Sequence, residues 1–179
     1  MNALHRGRLR DRQGMTLIEL CIVIVIIGLL LVVAVASLQR ARMMANESSA
    51  IAILRTINRA QFAYASECGR GFYAPSLSLL GHTRPGRDQS YLGEDIGLVD
   101  DPQRNGYHFN VRNGASSRDG LADCNGEATR TTYYASASPL VVSRTGTRSF
   151  ATSQSNGIWQ LSGSNPPPEP FGDPAQFVR

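Results

Sequence analysis

The chain has no lysine: its 18 basic residues are all arginine, set against 14 acids. It also has little charge of one sign beyond its start. Residues 1 to 14 hold Arg6, Arg8, Arg10 and Arg12 against Asp11, a net of +3, which leaves 14 arginines against 13 acids, or +1, for everything after them. A body so near neutrality lacks the electrostatic footprint of a nucleic-acid binder. Histidine is scarce and scattered. His5, His82 and His108 have no second ligand at metal-binding spacing, and there is no C-x-x-C pair, no G-x-S-x-G elbow and no phosphate loop. Gly69-Arg70-Gly71 lacks both a following glycine and a preceding strand. With no catalytic constellation and no cofactor motif, the sequence predicts a chain that is not an enzyme. Proline and glycine are missing between Leu29 and Cys68, so nothing interrupts a helix there. A composition of 42% apolar and 18% charged residues argues against both a disordered polymer and a multi-span membrane protein, and 179 residues leave room for one small domain with an anchor.

What the sequence has in excess is one apolar run. From Leu20 to Ala36 no residue carries a charge or a strong hydrogen-bonding side chain. At about 1.5 Å per residue this helix length covers most of a ~30 Å hydrocarbon core, and Met15 to Ile18 and Leu38 extend it. The preceding arginines would stay cytoplasmic, leaving the rest of the chain outside the inner membrane. Glu19 stands at the start of this run, although a carboxylate inside a bilayer costs on the order of 2.5–3.5 kcal/mol. Three readings compete. A secretory signal cut after Ala34-Val35-Ala36 fits poorly, because the run is longer than a usual signal core and nothing polar precedes the cut. A plain uncleaved anchor leaves Glu19 without purpose. Cleavage between Gly14 and Met15 supplies a partner: the new α-amine of Met15 lies four residues from Glu19, one turn away on the same helix face. Among helices packed side by side, that charge pair sets the axial stagger, because a lone buried ion is strongly penalised.

Gly14-Met15-Thr16-Leu17-Ile18-Glu19-Leu20, followed by a Val/Ile-rich run with Gly28, resembles the N-terminus of the type IV pilin and pseudopilin superfamily. The resemblance is confined to about the first forty residues. It implies cleavage after Gly14 by prepilin peptidase, N-methylation of Met15, and use of Glu19 in assembly. Met15 stands where phenylalanine is commoner, and Ala36 where many pilins place a proline, so a straighter helix is expected. The implied function is that of a structural subunit of a type IV pilus or pilus-like filament. A type II secretion pseudopilin is the alternative, and a membrane-tethered or secreted binding domain a further one. The implied partners are copies of the chain itself in a homopolymer, the prepilin peptidase, an inner-membrane assembly platform and the membrane. The implied location is the inner membrane for the precursor, leader cytoplasmic and head periplasmic, and then a cell-surface or periplasmic filament.

Past the membrane the pattern becomes one-sided. Ala50, Ile53, Leu54, Ile57, Ala60 and Tyr64 recur at helical spacing while Glu47, Arg55 and Arg59 point elsewhere, so one helix is predicted from about Thr16 to Glu67, stopped by Gly69 and Gly71. Turn signals including Pro75, Gly81, Pro85-Gly86 and Gly93 fill the stretch from Gly71 to Gln103. Strands are predicted at Tyr107–Arg112, Thr131–Ala137, Arg148–Thr152 and Gly157–Leu161, the last two joined by a turn at Ser155-Asn156-Gly157, with Pro139 ending the second or holding it at an edge. The fold class is α+β: a long N-terminal helix packed on a small antiparallel sheet, the pilin fold. The expected organisation is a leader over 1–14, a membrane or filament-core helix half over 15–38, an amphipathic half over 39–68, a globular head over 69–164 and a Pro-rich, polyproline-like or mobile tail over 165–179.

Cys68 and Cys124 lie in the part expected to face the oxidising periplasm, where a bridge would close a loop of about 57 residues and contribute on the order of 4 kcal/mol by loop entropy. Two unpaired thiols are the alternative, and Cys21 is read as a small buried hydrophobe. Asp100, Asp101, Asp119 and Asp123 are weighed as calcium ligands against solvated turn acids; their spacing is not diagnostic of a calcium loop, so they are read as turn acids and no metal is predicted. Tyr133-Tyr134, Phe72-Tyr73 and Trp159 are read as packing aromatics in preference to a ligand face.

Overall fold

The structure is a computed structural model that describes residues 14–84, 86 and 88–178. The leader arginines, and Pro85 of the expected turn, lie outside the described residues. Helix α1 (Leu17–Glu67) runs 51 residues, as the absence of glycine and proline after Leu29 predicts. The chain divides into two compact units, residues 1–38 and Gln39–Arg179. In the first, every described residue is exposed, including the whole apolar run. Among the described residues, α1 is the one helix long and apolar enough to cross a membrane.

In the second unit, α1 buries Ala50, Leu54, Ile57, Ala60 and Tyr64, with Ile53 packed at the margin. This is the predicted stripe, and Arg55 and Arg59 face solvent as expected. Glu47 does not. It is buried and aimed at the sheet, because partners 100 and 101 residues further along the chain bond both its oxygens. After α1 come two short helices, α2 (Leu77–Leu80) and α3 (Glu94–Gly97). They meet at two glycines, where a Cβ on Gly81 would strike the Gly97 carbonyl, so the backbones touch only because both side chains are absent.

The sheet among the described residues has six strands: β1 (Gln103–Arg104), β2 (Tyr107–Asn113), β3 (Tyr133–Pro139), β4 (Arg148–Ser153), β5 (Ile158–Ser162) and β6 (Gln176–Phe177). Their spatial order is their chain order, and each pair is antiparallel. The four predicted strands are β2 to β5. The outer two are only two residues long, too short to show an alternation in sequence. In β2 the period-two pattern buries Tyr107, Phe109 and Val111, and small faces large across the register at Phe109↔Ala137 and Ala137↔Phe150. Pro139 is the last residue of β3. Asn156 takes φ 61° in the turn before β5, consistent with the predicted Asn-Gly turn.

Residues 165–174 form no regular element, as their prolines dictate. They are nevertheless bound to the sheet, contrary to the expectation of a mobile tail. The Tyr134 hydroxyl donates to the Pro167 carbonyl at 2.7 Å, Ser149 Oγ to the Asn165 carbonyl at 2.6 Å, and the Ala115 N–H to Glu169 Oε2 at 2.7 Å. Phe171 stacks on Tyr134 and Trp159, with ring centroids 6.1 and 5.7 Å apart. Thus β3 is covered on both faces. Tyr133 faces α1, donating to Asn58 Oδ1 at 2.9 Å, while Tyr134 faces the tail.

Candidate functional site

The motif segment lies where α1 begins. Thr16 precedes the helix and its Oγ1 accepts the Glu19 N–H at 3.3 Å, while its carbonyl accepts the Leu20 N–H at 3.2 Å. Thr16 is therefore the N-cap, and Thr16-Leu17-Ile18-Glu19 has the spacing of a capping box. Glu19 falls in the first turn, beside backbone N–H groups that have no intrahelical acceptor and at the positive end of the helix dipole. Sequence reasoning asked what Glu19 pairs with and overlooked this local answer, although T-x-x-E before an apolar run is a legible signal. Gly14 has open space around the position of a side chain, so this chain's own fold makes no demand for glycine there. Met15 is 68% exposed. Gly14, Met15 and Glu19 thus lie in an accessible linear segment.

The head carries a different set of polar groups, which bind α1 to the sheet and loops. Glu47 Oε1 accepts the backbone N–H and hydroxyl of Thr147, both at 2.8 Å, and Oε2 accepts Arg148 Nε at 2.9 Å and Nη2 at 2.5 Å. Burial pushes the Glu47 carboxyl up, but these bonds outweigh it and hold the pKa below its ordinary value. Asn58 Nδ2 donates to Thr152 Oγ1 at 2.9 Å and to Asn156 Oδ1 at 2.8 Å. Gln61 exchanges two 2.9 Å bonds with the backbone of Ala74. Each of these side chains is buried and satisfied.

Cys68 and Cys124 form a disulfide with their Cα atoms 4.9 Å apart, joining the end of α1 to a loop before β3. Cys21 is a free, exposed thiol on the apolar part of α1. The acids weighed for calcium have separate partners. Asp100 Oδ1 accepts the Ser78 N–H at 2.9 Å, Asp101 lies 3.2 Å from His108 Nε2, and Asp119 pairs with Arg130. Asp123 is buried beside the disulfide and accepts the Tyr64 hydroxyl and the N–H groups of Asn125 and Glu127, each at 2.8 Å. Burial raises the Asp123 pKa, yet the N–H of Glu127 and the Tyr64 hydroxyl carry it below the usual carboxylate value. It is a buried loop-organising group and not the solvated turn acid expected. Among the described residues no three of His, Cys, Asp and Glu gather as a metal set. The paired aromatics pack: Tyr73 meets Tyr133 edge to face at 4.9 Å, and Tyr133 and Tyr134 are fully buried.

Residues 9–35 match the family model of the prokaryotic N-terminal methylation motif. No curated protein and no solved structure matches the chain. The matched segment takes in the cap, the first-turn carboxylate and the exposed apolar half of α1, and in it the chain carries the prepilin-type motif of the type IV pilins and pseudopilins.

Proposed function

We propose that the chain is a non-enzymatic subunit of a type IV pilus or pilus-like filament, inserted in the inner membrane as a precursor, cut between Gly14 and Met15, methylated on Met15, and polymerised through its apolar helix. The observation that carries this reading is the conjunction of the methylation motif with an apolar helical segment exposed on every side. Such a surface is stable in lipid or against copies of itself. Glu19 has two complementary tasks. Its first-turn position beside free N–H groups makes the charge tolerable in a single helix, and the Met15 amine of a neighbour then selects the stagger between helices. The open space at Gly14 supports a requirement for glycine that belongs to the cleaving enzyme and not to this chain's own packing. A type II secretion pseudopilin is the second reading, since the matched motif serves both classes.

Intact mass and N-terminal sequencing of the mature chain test the proposal. A methylated Met15 start supports it, a Ser37 start supports a secreted domain, and an unprocessed Met1 supports a simple anchor. Gly14→Val is expected to block trimming. Glu19→Ala is expected to leave insertion and trimming intact and to abolish filaments, and abundant filaments from that variant would remove the register argument.

A further inference from the structure

Between β3 and β4 the chain makes a tight loop whose apolar side chains are held outside the core. Leu140, Val141 and Val142 are 45%, 50% and 42% exposed. The loop is built, not loose. The Val141 carbonyl accepts the N–H of Thr145 at 2.9 Å and of Arg144 at 3.2 Å, and the Ser143 N–H reaches the Gly146 carbonyl at 2.8 Å. Gly146 closes against the ring and hydroxyl of Tyr107, an approach that any Cβ would block. Asn46 Nδ2 donates to the Thr145 carbonyl at 2.9 Å and so fixes the loop to the early part of the amphipathic helix half. Backbone bonding of this kind presents the three side chains to the surroundings in a set position.

Beside them is a cleft of ≈ 550 Å³ lined by Gln39, Arg42, Ser143, Arg144 and Thr145. Arg42 and Arg144 are exposed, and among the described residues neither has a carboxylate partner. No acid occurs in residues 37–46 or 140–146. The next carboxylate, Glu47, has a side chain only 6% exposed and is already bonded to Arg148. Arg42 is four residues after Leu38, so its backbone lies within about 14 Å of the end of the apolar run in any conformation. Unopposed cations, an adjacent exposed apolar tip and a covalent tether of that length are the features of a group that works at a bilayer surface.

We propose that this cleft and loop form a phospholipid headgroup site: Arg42 and Arg144 hold the phosphodiester of an anionic lipid, and Leu140, Val141 and Val142 dip into the interface beside it. The proposal rests on residues 17–38 spanning the membrane. The site would hold the head against the leaflet before the subunit leaves the bilayer.

The test uses the mature full-length chain with Cys21→Ser, reconstituted in phosphatidylcholine vesicles with or without phosphatidylglycerol. A spin label on Val141→Cys reports its exposure to a water-soluble nickel complex and to lipid-dissolved oxygen. With phosphatidylglycerol the label is expected to be shielded from nickel and open to oxygen, less so at high salt. Arg42→Gln and Arg144→Gln are each expected to lower the ratio of lipid-engaged to free label about fivefold, the equivalent of ~1 kcal/mol per basic residue near an anionic surface. A label equally open to nickel in both vesicle types overturns the proposal, as does shielding that survives both substitutions. Shielding that arises only on polymerisation assigns the loop to a neighbouring copy and overturns it too. A second label on Val32→Cys separates the premises: lipid exposure there with water exposure at position 141 defeats the loop site alone, whereas water exposure at position 32 defeats the membrane-spanning reading.

Discussion

Glu47 is buried on the inward side of α1, with both carboxylate oxygens bonded to the start of β4 and the residue before it. Because its folded pKa lies below its ordinary 4.5, the stability it contributes is complete above the unfolded pKa and is lost as pH falls through the folded value. Asp123, depressed below 3.8, adds a second loss of the same sign. The thermal midpoint of the head should therefore be nearly flat between about pH 5 and about pH 9 and fall steadily in more acidic solution. Glu47→Gln removes the charge-assisted bonds and should cost about 1.5–3 kcal/mol at neutral pH, nearer the lower figure because Arg148 is partly solvated. It should also flatten the acid slope, leaving the part due to Asp123 and to Asp100, whose carboxyl the Ser78 N–H holds below its ordinary value. A wild-type acid slope in this variant, measured by thermal melts between neutral and acidic pH, would show that the Glu47 bonds are insensitive to charge. At this scale the sequence reveals the apolar stripe and hides the polar clamp. Leu54 and Ile57 declare their face by periodicity alone, but Glu47, Asn58 and Gln61 turn inward only because Arg148, Thr152 and Ala74 are there to meet them. Two of those partners are more than ninety residues away in the chain.

At the scale of elements, the C-terminal segment and β3 explain each other. A strand that buries Tyr133 and Tyr134 in succession must be covered on both faces. One cover is α1, and the other is the Pro-rich arm, whose residues lack regular backbone bonding but supply Phe171, a carbonyl at Pro167 and the carboxylate of Glu169. Phe171→Ala should lower the stability of the head by about 2 kcal/mol through lost burial and stacking. It should also shift the emission of Trp159, the single tryptophan, to the red and quicken proteolysis within residues 165–175. Unchanged emission and an unchanged melting midpoint would show that the arm is not the second cover. The central strands were legible because their alternation, Asn-Gly turn and terminal proline are local signals. The docking of the arm was not, since proline excludes regular structure but says nothing about packing. The N-terminal motif was legible because it lies in residue order, the order that residues 9–35 share with the methylation-motif model, whereas the Thr16 cap on Glu19 was overlooked.

At the scale of the whole molecule, buried residues among those described begin at Glu47, and none lies in the first unit. The head therefore has its complete core without the apolar run. A chain beginning at Gln39 should be monomeric without detergent and unfold in one cooperative transition, by sedimentation and calorimetry, whereas the mature full-length chain should need detergent or lipid. Aggregation of the shortened chain, or a melt without a cooperative step, would mean that the first unit supports the core. The helix-plus-sheet class was legible at this scale because a long uninterrupted helix and a run of short alternating strands differ in period. The two outermost strands and the helical turns before the sheet were not, being too short to repeat a period. The coincidence of spatial and chain order in the sheet carries a final consequence for manufacture. Each strand can dock as it arrives on the one already laid down, without waiting for a distant partner. A head delivered across a bilayer from its anchored end would thus assemble in sequence, with the proline arm closing over β3 to β5 already in place and β6 adding to the edge after it.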